Sequence, residues 1–405
     1  MRDIGLPTNE RNVVLLTGAG HFSTHFFELM FPTLAVSLAQ ETGIPIAEVL
    51  GWSFLSYLFF GLGALPFGLL GDRVGARILI ISGIAGMGVF AIAAGESSHG
   101  PALTFCLAGM GLFASAYHPV GMSLISRTVV RRGRALAING IFGNVAIALT
   151  PIVTASLCDW IGWRGAYATV GYAACVLAVL AAFVPIDESA VVETPSLADA
   201  EPSQFRAVHL FAVLLVASAL AGISYRGNTV IQPAFFEQRV SMFSFGATTS
   251  LVYLIGIGGQ YLGGVLADKR DLRWLYFAFH AISLPALLAM VVLSGVPLIG
   301  AAMVFVFFSL GMQPIENSLL AHVTPLRWRS TAYGAKFVLT FGVGSFAVWL
   351  VDWAQQKQDM AFAILCLAGV VAALLATIGV FLAMSAGRQF RNTEVESLAP
   401  VVGAA

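Results

Sequence analysis

The chain has 405 residues, of which 58% are hydrophobic and only 10% are charged, whereas soluble domains carry about 25% charged residues. Most of it must therefore face lipid or other apolar helices, which excludes an ordinary soluble fold. The formal net charge is zero, which argues against nucleic acid as a partner. The four cysteines are scattered singly within apolar stretches, so neither a disulfide framework nor a thiolate metal site is predicted.

Long apolar stretches dominate the chain from its beginning. A helix needs about 20 apolar residues to cross the hydrocarbon core of a bilayer. Twelve such stretches predict an all-α integral membrane protein, and its polar start shows no cleavable signal. The stretches cover approximately residues 12–38, 47–70, 77–95, 101–126, 134–157, 164–185, 208–232, 243–267, 273–293, 297–323, 330–354 and 360–386.

The distribution of basic residues predicts the orientation. If the N-terminus is inside, the cytoplasmic segments hold sixteen Lys and Arg residues and the opposite side holds three. The positive-inside rule therefore places both termini in the cytoplasm. The polar stretch 186–207 predicts a cytoplasmic linker, because it is too poor in apolar residues to fold alone. The predicted organisation is a six-helix bundle at 1–185, this linker, a second six-helix bundle at 208–386 and a cytoplasmic tail at 387–405.

The first span carries His21, His25 and Glu28, and their spacings of four and three place them on one helical face. Three interpretations stay open at this point. Glu28 could bind and release protons, the three side chains could bind a divalent metal, or the trio could be packed as structural polar groups. One helix cannot complete a metal shell alone and no second ligand cluster is evident, so no metal site is assigned. Glu28 is the leading predicted proton carrier, with both histidines lining the cavity.

A charged turn follows the second span and returns after the eighth. Residues 68–77 read Gly-Leu-Leu-Gly-Asp-Arg-Val-Gly-Ala-Arg, and residues 264–273 repeat the first glycine, the acid and both bases at an offset of 196. Each copy joins two apolar stretches, so both are tight charged turns between spans. A duplicated half with a matching turn in each copy is typical of secondary transporters built from two bundles.

The first turn resembles the signature of the major facilitator superfamily. The resemblance implies the major facilitator fold, with twelve transmembrane helices in two pseudo-symmetric six-helix bundles around a central cavity. It also implies that the turns bridge the halves and gate the cycle, and the alternative is that these charges only fix the topology. The implied gating residues are Gly68, Asp72, Arg73, Gly75, Arg77, Asp268 and Lys269. The second copy departs from the signature, since Leu272 replaces its second glycine.

Spans four and five carry a narrower resemblance. Tyr117-His118-Pro119, and Gly143-Asn144 with Pro151, are similar to the fosmidomycin-resistance group of drug exporters. That group also tends to have His and Arg where His21 and Arg226 stand here. An acid usually follows the His-Pro pair, and Val120 replaces it, which leaves the substrate open. The resemblance implies export from a bacterial inner membrane, with His118 and Asn144 lining the cavity.

Span seven contains Arg226 beside Tyr225, in the span that corresponds to span one across the internal repeat. An arginine cannot lose its charge within a membrane, so it must pair with an acid or with an anionic substrate. Its planar fork suits a carboxylate or a phosphonate. Arg226 is therefore predicted to bind substrate, with Tyr225 as cavity lining. A static pair with Glu28 that locks the halves together is the alternative.

Apart from acids at span ends, Glu28 and Glu316 are the only carboxylates inside the predicted spans, where an ionisable group costs about 2.5–3.5 kcal/mol. Glu316 is the second candidate for proton coupling. The corresponding His-Pro and Gln-Pro pairs of spans four and ten would bring His118 close to Glu316. Lys336 is expected either to reach the cytoplasmic interface or to pair with Glu316.

The combined prediction is a proton-coupled antiporter that exports a small amphipathic or anionic compound. Proton-coupled uptake of an organic anion is the main alternative, because direction depends on the coupled gradient. Divalent-metal export and a non-transporting sensor are weaker alternatives. No ATP-binding motif and no nucleophile with its base are visible, so we expect neither an enzyme nor a cofactor. The expected partners are the substrate, protons and lipid, and the expected functional unit is a monomer.

Overall fold

The computed structural model describes residues 7–130, 132–189, 204–324, 329–388 and 390, without the side chains of 72, 132–134, 204–207 and 329–331. Most of the predicted linker and tail therefore lies outside the described residues. The side chain of Asp72, a predicted gating residue, lies outside them as well.

The described residues form helices and no strand. In the N-terminal half the helices are α1 (Thr8–Thr42), α2 (Ile46–Gly51), α3 (Phe54–Leu62), α4 (Ala64–Val74), α5 (Ala76–Glu96), α6 (Pro101–Ala114), α7 (Tyr117–Thr128) and α8 (Arg132–Ala182). In the C-terminal half they are α9 (Gln204–Arg239), α10 (Phe245–Lys269), α11 (Leu272–Val292), α12 (Gly295–Val323), α13 (Arg329–Phe337), a π-helix (Val338–Gly342), a 3-10 helix (Val343–Phe346), α14 (Ala347–Lys357) and α15 (Met360–Met384).

Ten helical stretches of the described chain are long and apolar enough to cross a membrane. One of them, Ala135–Ala182, has 48 residues, about twice what a bilayer needs. Gly162 interrupts it with a φ of 71° and a ψ of 168°, so this stretch divides into two helices. Helix α1 is 35 residues long but more polar than these ten. The all-α membrane fold is thus confirmed, while the exact count of twelve spans stays a prediction.

Glycines mark the ends of helices and aspartates mark the beginnings of others where the chain turns. Gly43 adopts the left-handed conformation at a φ of 69° and closes α1, its N–H donating to the carbonyl of Ala39 at 2.9 Å. Gly75 separates α4 from α5 at a φ of 92°, which other residues rarely adopt. Asp271 and Asp359 cap α11 and α15, because their carboxylates accept from backbone N–H groups of the first turn.

The two halves share a buried core. The apolar cluster of the C-terminal half takes in four side chains of the N-terminal half, namely Leu29, Val36, Ile147 and Ala155. Near the middle of the bundle, Gly61 of α3 lies directly against the backbone of Gly342. Towards the end of α1, Gln40 donates a hydrogen bond to Glu237 of α9 at 3.0 Å. The halves are therefore in close contact from the middle of α1 to its end, and the polar side chains of α1 lie along this interface.

Candidate transport site between the two halves

Glu28 lies in α1 at the interface between the halves and is only 6% exposed. Its Oε1 accepts a hydrogen bond from Nη2 of Arg226 in α9 at 2.6 Å. Its Oε2 lies 2.6 Å from Nδ1 of His25, one helical turn away. The hydroxyl of Tyr57 in α3 donates to its backbone carbonyl at 3.1 Å. Both carboxylate oxygens therefore have a partner, and one of those partners belongs to the opposite half.

Arg226 is 1% exposed, so its charge is entirely enclosed by protein. Its guanidinium carbon lies 3.7 Å from the centre of the Tyr57 ring, and 5.8 Å from that of Tyr225, the former a favourable cation–π contact. Its Nε and Nη1 find no hydrogen-bond partner among the described residues. A buried donor without an acceptor costs free energy. Arg226 can therefore take a further anionic or carbonyl oxygen without releasing Glu28 first.

A small cavity of about 10 Å³ lies close to Arg226 along α9, room for about one water molecule. Tyr225 and five further polar side chains are part of its wall, namely Asn228, Thr229, Gln232, Tyr253 and Ser309. Within the described structure, Oδ1 of Asn228, both amide atoms of Gln232 and the hydroxyl of Tyr253 lack hydrogen-bond partners. Unpaired buried groups around a cavity are typical of a polar binding site.

A chain of polar side chains leads from Glu28 back along α1. Nε2 of His25 lies 3.1 Å from Nε2 of His21, and Nδ1 of His21 lies 2.8 Å from the carbonyl oxygen of Asn139 in α8. The side chain of Asn139 accepts from the hydroxyl of Tyr117 in α7 at 2.5 Å. The three polar residues of α1 therefore share a face as predicted, and the chain joins three helices of the N-terminal half.

His118 lies beside this chain rather than beside Glu316. Its ring centre is 5.5 Å from that of His21 and 5.4 Å from that of His25. On its other side it stacks on Phe337 and Phe341 of the opposite half, each at 5.4 Å. The three histidines each offer one nitrogen, all within 4.8 Å of one another, so a metal could be held here.

Asn144 also reaches the opposite half. Its amide donates to Oε1 of Gln260 in α10 at 2.5 Å, and Gln260 donates to Oε1 of Gln313 in α12 at 2.8 Å. Sequence reasoning missed Gln260, as it missed Tyr57 and Asn139 among the contacts of the site. A polar side chain within a predicted apolar span was the available signal for Gln260.

Glu316 forms a second buried carboxylate site, 2% exposed and within the C-terminal half. Its Oε2 accepts from the hydroxyl of Tyr276 at 2.6 Å. Its Oε1 accepts from Oγ of Ser218 at 3.1 Å and lies 2.7 Å from Nζ of Lys336. Lys336 also donates to the side chain of Asn317 at 2.5 Å. Of the two alternatives for Lys336, the structure thus shows the pair with Glu316.

The charged turns lie away from this site, at the side where α4 and α10 end. Glu188 accepts from the backbone N–H groups of Ala76 and Arg77 at 2.8 and 2.9 Å. Arg77 donates to the carbonyl of Ala182 at 2.5 Å. These contacts join Arg77 to the end of α8 and to the start of the predicted linker. The other gating candidates with described side chains, Arg73, Asp268 and Lys269, are exposed, and the gating role stays a prediction.

Comparison with known proteins identifies relatives. The family described as Major Facilitator Superfamily matches residues 17–348. A probable L-galactonate transporter of Escherichia coli is 25% identical over 146 residues, covering 36% of this chain and 32% of that protein. The tetracenomycin C resistance and export protein of Streptomyces glaucescens is 25% identical over 303 residues, covering 72% of this chain and 51% of that protein.

A third relative, the 4-hydroxybenzoate transporter PcaK of Pseudomonas aeruginosa, is 29% identical over 158 residues, covering 37% of this chain and 34% of that protein. The chain therefore spans about a third to a half of the length of these curated relatives.

Solved structures show the same fold. A bacterial homologue of the human lysosomal transporter Spinster, in an inward-facing and occupied conformation, has a TM-score of 0.69 at 15% identity, covering 94% of this chain and 96% of that one. A POT family transporter in complex with 5-aminolevulinic acid has a TM-score of 0.78 at 12% identity, covering 94% and 97%. At such low identities the likeness concerns the fold alone.

Proposed function

The chain belongs to the Major Facilitator Superfamily, and from that premise we propose that it is a multi-pass secondary transporter of small molecules. It works by alternating access and is not an enzyme. Its substrate is a small anionic compound bearing a carboxylate or phosphonate, and its transport is coupled to protons. Arg226 holds the anionic group and Glu28 is the proton carrier.

The observation that carries this proposal is the ion pair between Glu28 and Arg226, which joins the halves at 2.6 Å while two donors of Arg226 stay unpaired. An incoming anion can occupy those donors and then replace Glu28. A buried carboxylate that loses its partner is neutralised by taking up a proton. The substrate and the proton would therefore bind together, and the pair between the halves would be broken while both are bound.

Because substrate and proton binding are linked in this way, the chemistry of the substrate determines whether transport is symport or antiport. An anion that displaces Glu28 from Arg226 travels with a proton, which is symport and suits uptake. A compound that instead binds ionised Glu28 through a donor or positive group competes with the proton, which is antiport and suits export. The geometry of Arg226 favours the first. Two relatives are named as transporters of carboxylates, which supports an anionic substrate but carries no direction.

Export is the second candidate, as expected from the sequence. The relative named as a tetracenomycin C export protein matches 72% of this chain, a larger share than the two carboxylate transporters match. In this case an amphipathic compound would bind beside Glu28 and against apolar side chains of the cavity, such as Ile147 and Phe305. Glu316 is the second candidate for coupling in either case.

Location and topology complete the proposal. The excess of Lys and Arg at the side where α1 begins supports cytoplasmic termini, and the three relatives come from bacteria, which supports a bacterial inner membrane. The predicted bundles at 1–185 and 208–386 would be the two rocking units, and a monomer encloses the whole site.

Proton movement in proteoliposomes containing a pH-sensitive dye tests the proposal. Carboxylates, phosphonates and cationic amphipathic drugs would be added outside the liposomes, to wild type, to Glu28→Gln and to the matched control Glu316→Gln. We expect an anion to acidify the interior, with the signal lost in Glu28→Gln and kept in Glu316→Gln. Alkalinisation by an amphipathic drug would favour export instead. Equal signals from wild type and Glu28→Gln would overturn the role of Glu28.

A further inference from the structure

Three histidine rings from two helices meet at one point in the N-terminal half. His21 and His25 are one turn apart on α1 with ring centres 4.8 Å apart, and His118 of α7 approaches both within 5.5 Å. One nitrogen of each ring lies within 4.8 Å of the other two. We refer to these three residues as the histidine triad.

Hydrogen-bond partners fix which nitrogens carry protons in two of the rings. A carbonyl oxygen can only accept, so Nδ1 of His21 must donate to Asn139. The carboxylate of Glu28 is already paired with Arg226, so Nδ1 of His25 must likewise donate to it. In the neutral rings both Nε2 atoms are then bare lone pairs, and they face each other at 3.1 Å. Two lone pairs at that distance repel unless a cation lies between them or beside them.

The third ring distinguishes a metal from a shared proton. A single proton could join His21 to His25, but it would leave His118 without a role. Nε2 of His118 is buried and has no hydrogen-bond partner in the described parts of the chain. A metal ion satisfies all three nitrogens at once, whereas a proton satisfies two.

We propose that the histidine triad is a binding site for a divalent transition metal ion of the zinc type. Nitrogen ligands at about 2.0–2.1 Å in tetrahedral geometry lie about 3.3 Å from each other, close to the 3.1 Å between His21 and His25. The three nitrogens lie within 4.8 Å of one another, so His118 would move closer to the other two rings to complete three ligands. Metal-binding histidines usually donate their second N–H to a carboxylate or a carbonyl, and Glu28 and Asn139 supply one of each.

Three protein ligands leave the fourth position of the metal open. The ionised Glu28 is already neutralised by Arg226, so the ion would keep most of its positive charge. An anionic group is therefore the natural fourth ligand. Metal binding at the triad does not depend on proton coupling or on any particular substrate, and it can be measured without transport.

Titration of the purified full-length protein with Co²⁺ tests the site, because visible absorption of Co²⁺ reports coordination by nitrogen ligands. Zn²⁺ would then be added to displace it. The variants are His118→Ala and the control His280→Ala, which removes a histidine that is also buried but lies in α11. We expect one Co²⁺ per chain in wild type and in His280→Ala. Because even outer partners of metal ligands change affinity by about 10–100-fold, His118→Ala should weaken binding by about tenfold or more.

A second measurement needs no variant. A bound ion stabilises the folded state, so Zn²⁺ should raise the melting temperature of the wild-type protein, while Mg²⁺, which prefers oxygen ligands, should not. Wild type that binds neither Co²⁺ nor Zn²⁺ would overturn the proposal and leave a shared proton between His21 and His25. Equal Co²⁺ affinity in wild type and a folded His118→Ala would also overturn it.

Discussion

Glu28 and Glu316 are both buried carboxylates within long helices of the bundle, but the partners that neutralise them differ in origin. Glu28 is paired with Arg226 of the opposite half. Glu316 is held by Ser218, Tyr276 and Lys336, all within its own half. A rocking motion of one half against the other must break the first arrangement and can leave the second intact. We therefore expect the origin of its partner, rather than burial alone, to distinguish a coupling residue from a structural one.

Removing the basic partner of each carboxylate should separate the two sites most strongly. Breaking a buried pair by deleting one partner costs about 3–5 kcal/mol. Arg226→Met leaves Glu28 with His25 alone, whereas Lys336→Met leaves Glu316 with two hydroxyl donors. We expect Arg226→Met to abolish transport and to lower the melting temperature more than Lys336→Met does, as measured in detergent and in proteoliposomes.

The double variant Glu28→Gln with Arg226→Met serves as the control for that experiment. It removes both charges, so it should recover much of the melting temperature but no transport. Equal losses for Arg226→Met and Lys336→Met, or no recovery in the double variant, would contradict the distinction between the two sites.

Glycine contacts offer the same comparison at the backbone. Gly61 packs on Gly342 across the halves, while Gly259 packs on the backbone of Phe307 within one half. A methyl group at either place overpacks the contact, which typically costs about 1–3 kcal/mol. Gly61→Ala should disfavour the conformation described here, whereas Gly259→Ala should lower the melting temperature. Gly264→Ala is the control, since nothing lies within 4 Å of a methyl group there.

The population of conformations can be read from the distance between spin labels at Gln40 and Glu237, which touch across the halves. We expect Gly61→Ala to increase the fraction of long distances, and Gly259→Ala to leave the distribution unchanged. An unchanged distribution in Gly61→Ala would mean that this contact does not hold the halves together.

Much of the fold follows from the sequence because lipid imposes a simple rule on it. Apolar length predicted where the chain is helical, and Gly162 separates two helices where the sequence predicted a turn. Breaks within a span were less visible. The span predicted at 47–70 is interrupted at Trp52–Ser53 and at Gly63, and the span predicted at 330–354 contains a π-helix. Such local irregularities depend on how a helix packs against its neighbours, and the length of an apolar stretch contains no information about that packing.

The candidate site shows the same limit. Helical spacing predicted that His21, His25 and Glu28 share a face, because spacing describes one helix at a time. It could not predict that His118 completes a triad with α1, or that Tyr57 lies under Arg226, because these contacts join separate helices. The free-energy cost of burying a charge identified Glu28, Glu316 and Arg226 as important. It could not decide whether Arg226 binds substrate or pairs with Glu28, or whether Lys336 reaches the interface or pairs with Glu316.

Single hydrogen bonds should sharpen the comparison with smaller effects. Asn144 bonds to Gln260 across the halves, and Ser218 bonds to Glu316 within one half. Loss of one such bond is worth about 1 kcal/mol, or about a fivefold change in an equilibrium or rate. We expect Asn144→Ala to change the transport rate with little change in melting temperature, and Ser218→Ala to do the reverse. A transport defect confined to Ser218→Ala would contradict the comparison, because it would mean that contacts within one half, and not those between the halves, limit the transport cycle.

The smallest effect is expected at Asp271, in the turn between α10 and α11, outside the membrane-spanning segments. Partial burial opposes its ionisation, but hydrogen bonds from the side chain and backbone of Arg273 hold its pKa below the usual range. Arg273 in turn donates to the carbonyl of Ser385 at the end of α15 at 2.5 Å. All of these contacts lie within the C-terminal half. The ion pair between Asp271 and Arg273 is therefore, like the contacts of Glu316, one that stays within a single half.

A lowered pKa in the folded state means that ionised Asp271 contributes stability above its unfolded pKa of about 3.9. That contribution is lost as the pH falls through the lower pKa of the folded protein. The melting temperature of Asp271→Asn should therefore lie slightly below that of wild type at neutral pH, and the difference should vanish in acid. Transport at neutral pH should be unchanged, because the contact stays within one half as the halves rock. A slower cycle in Asp271→Asn would instead place the second charged turn among the contacts that are made and broken during transport.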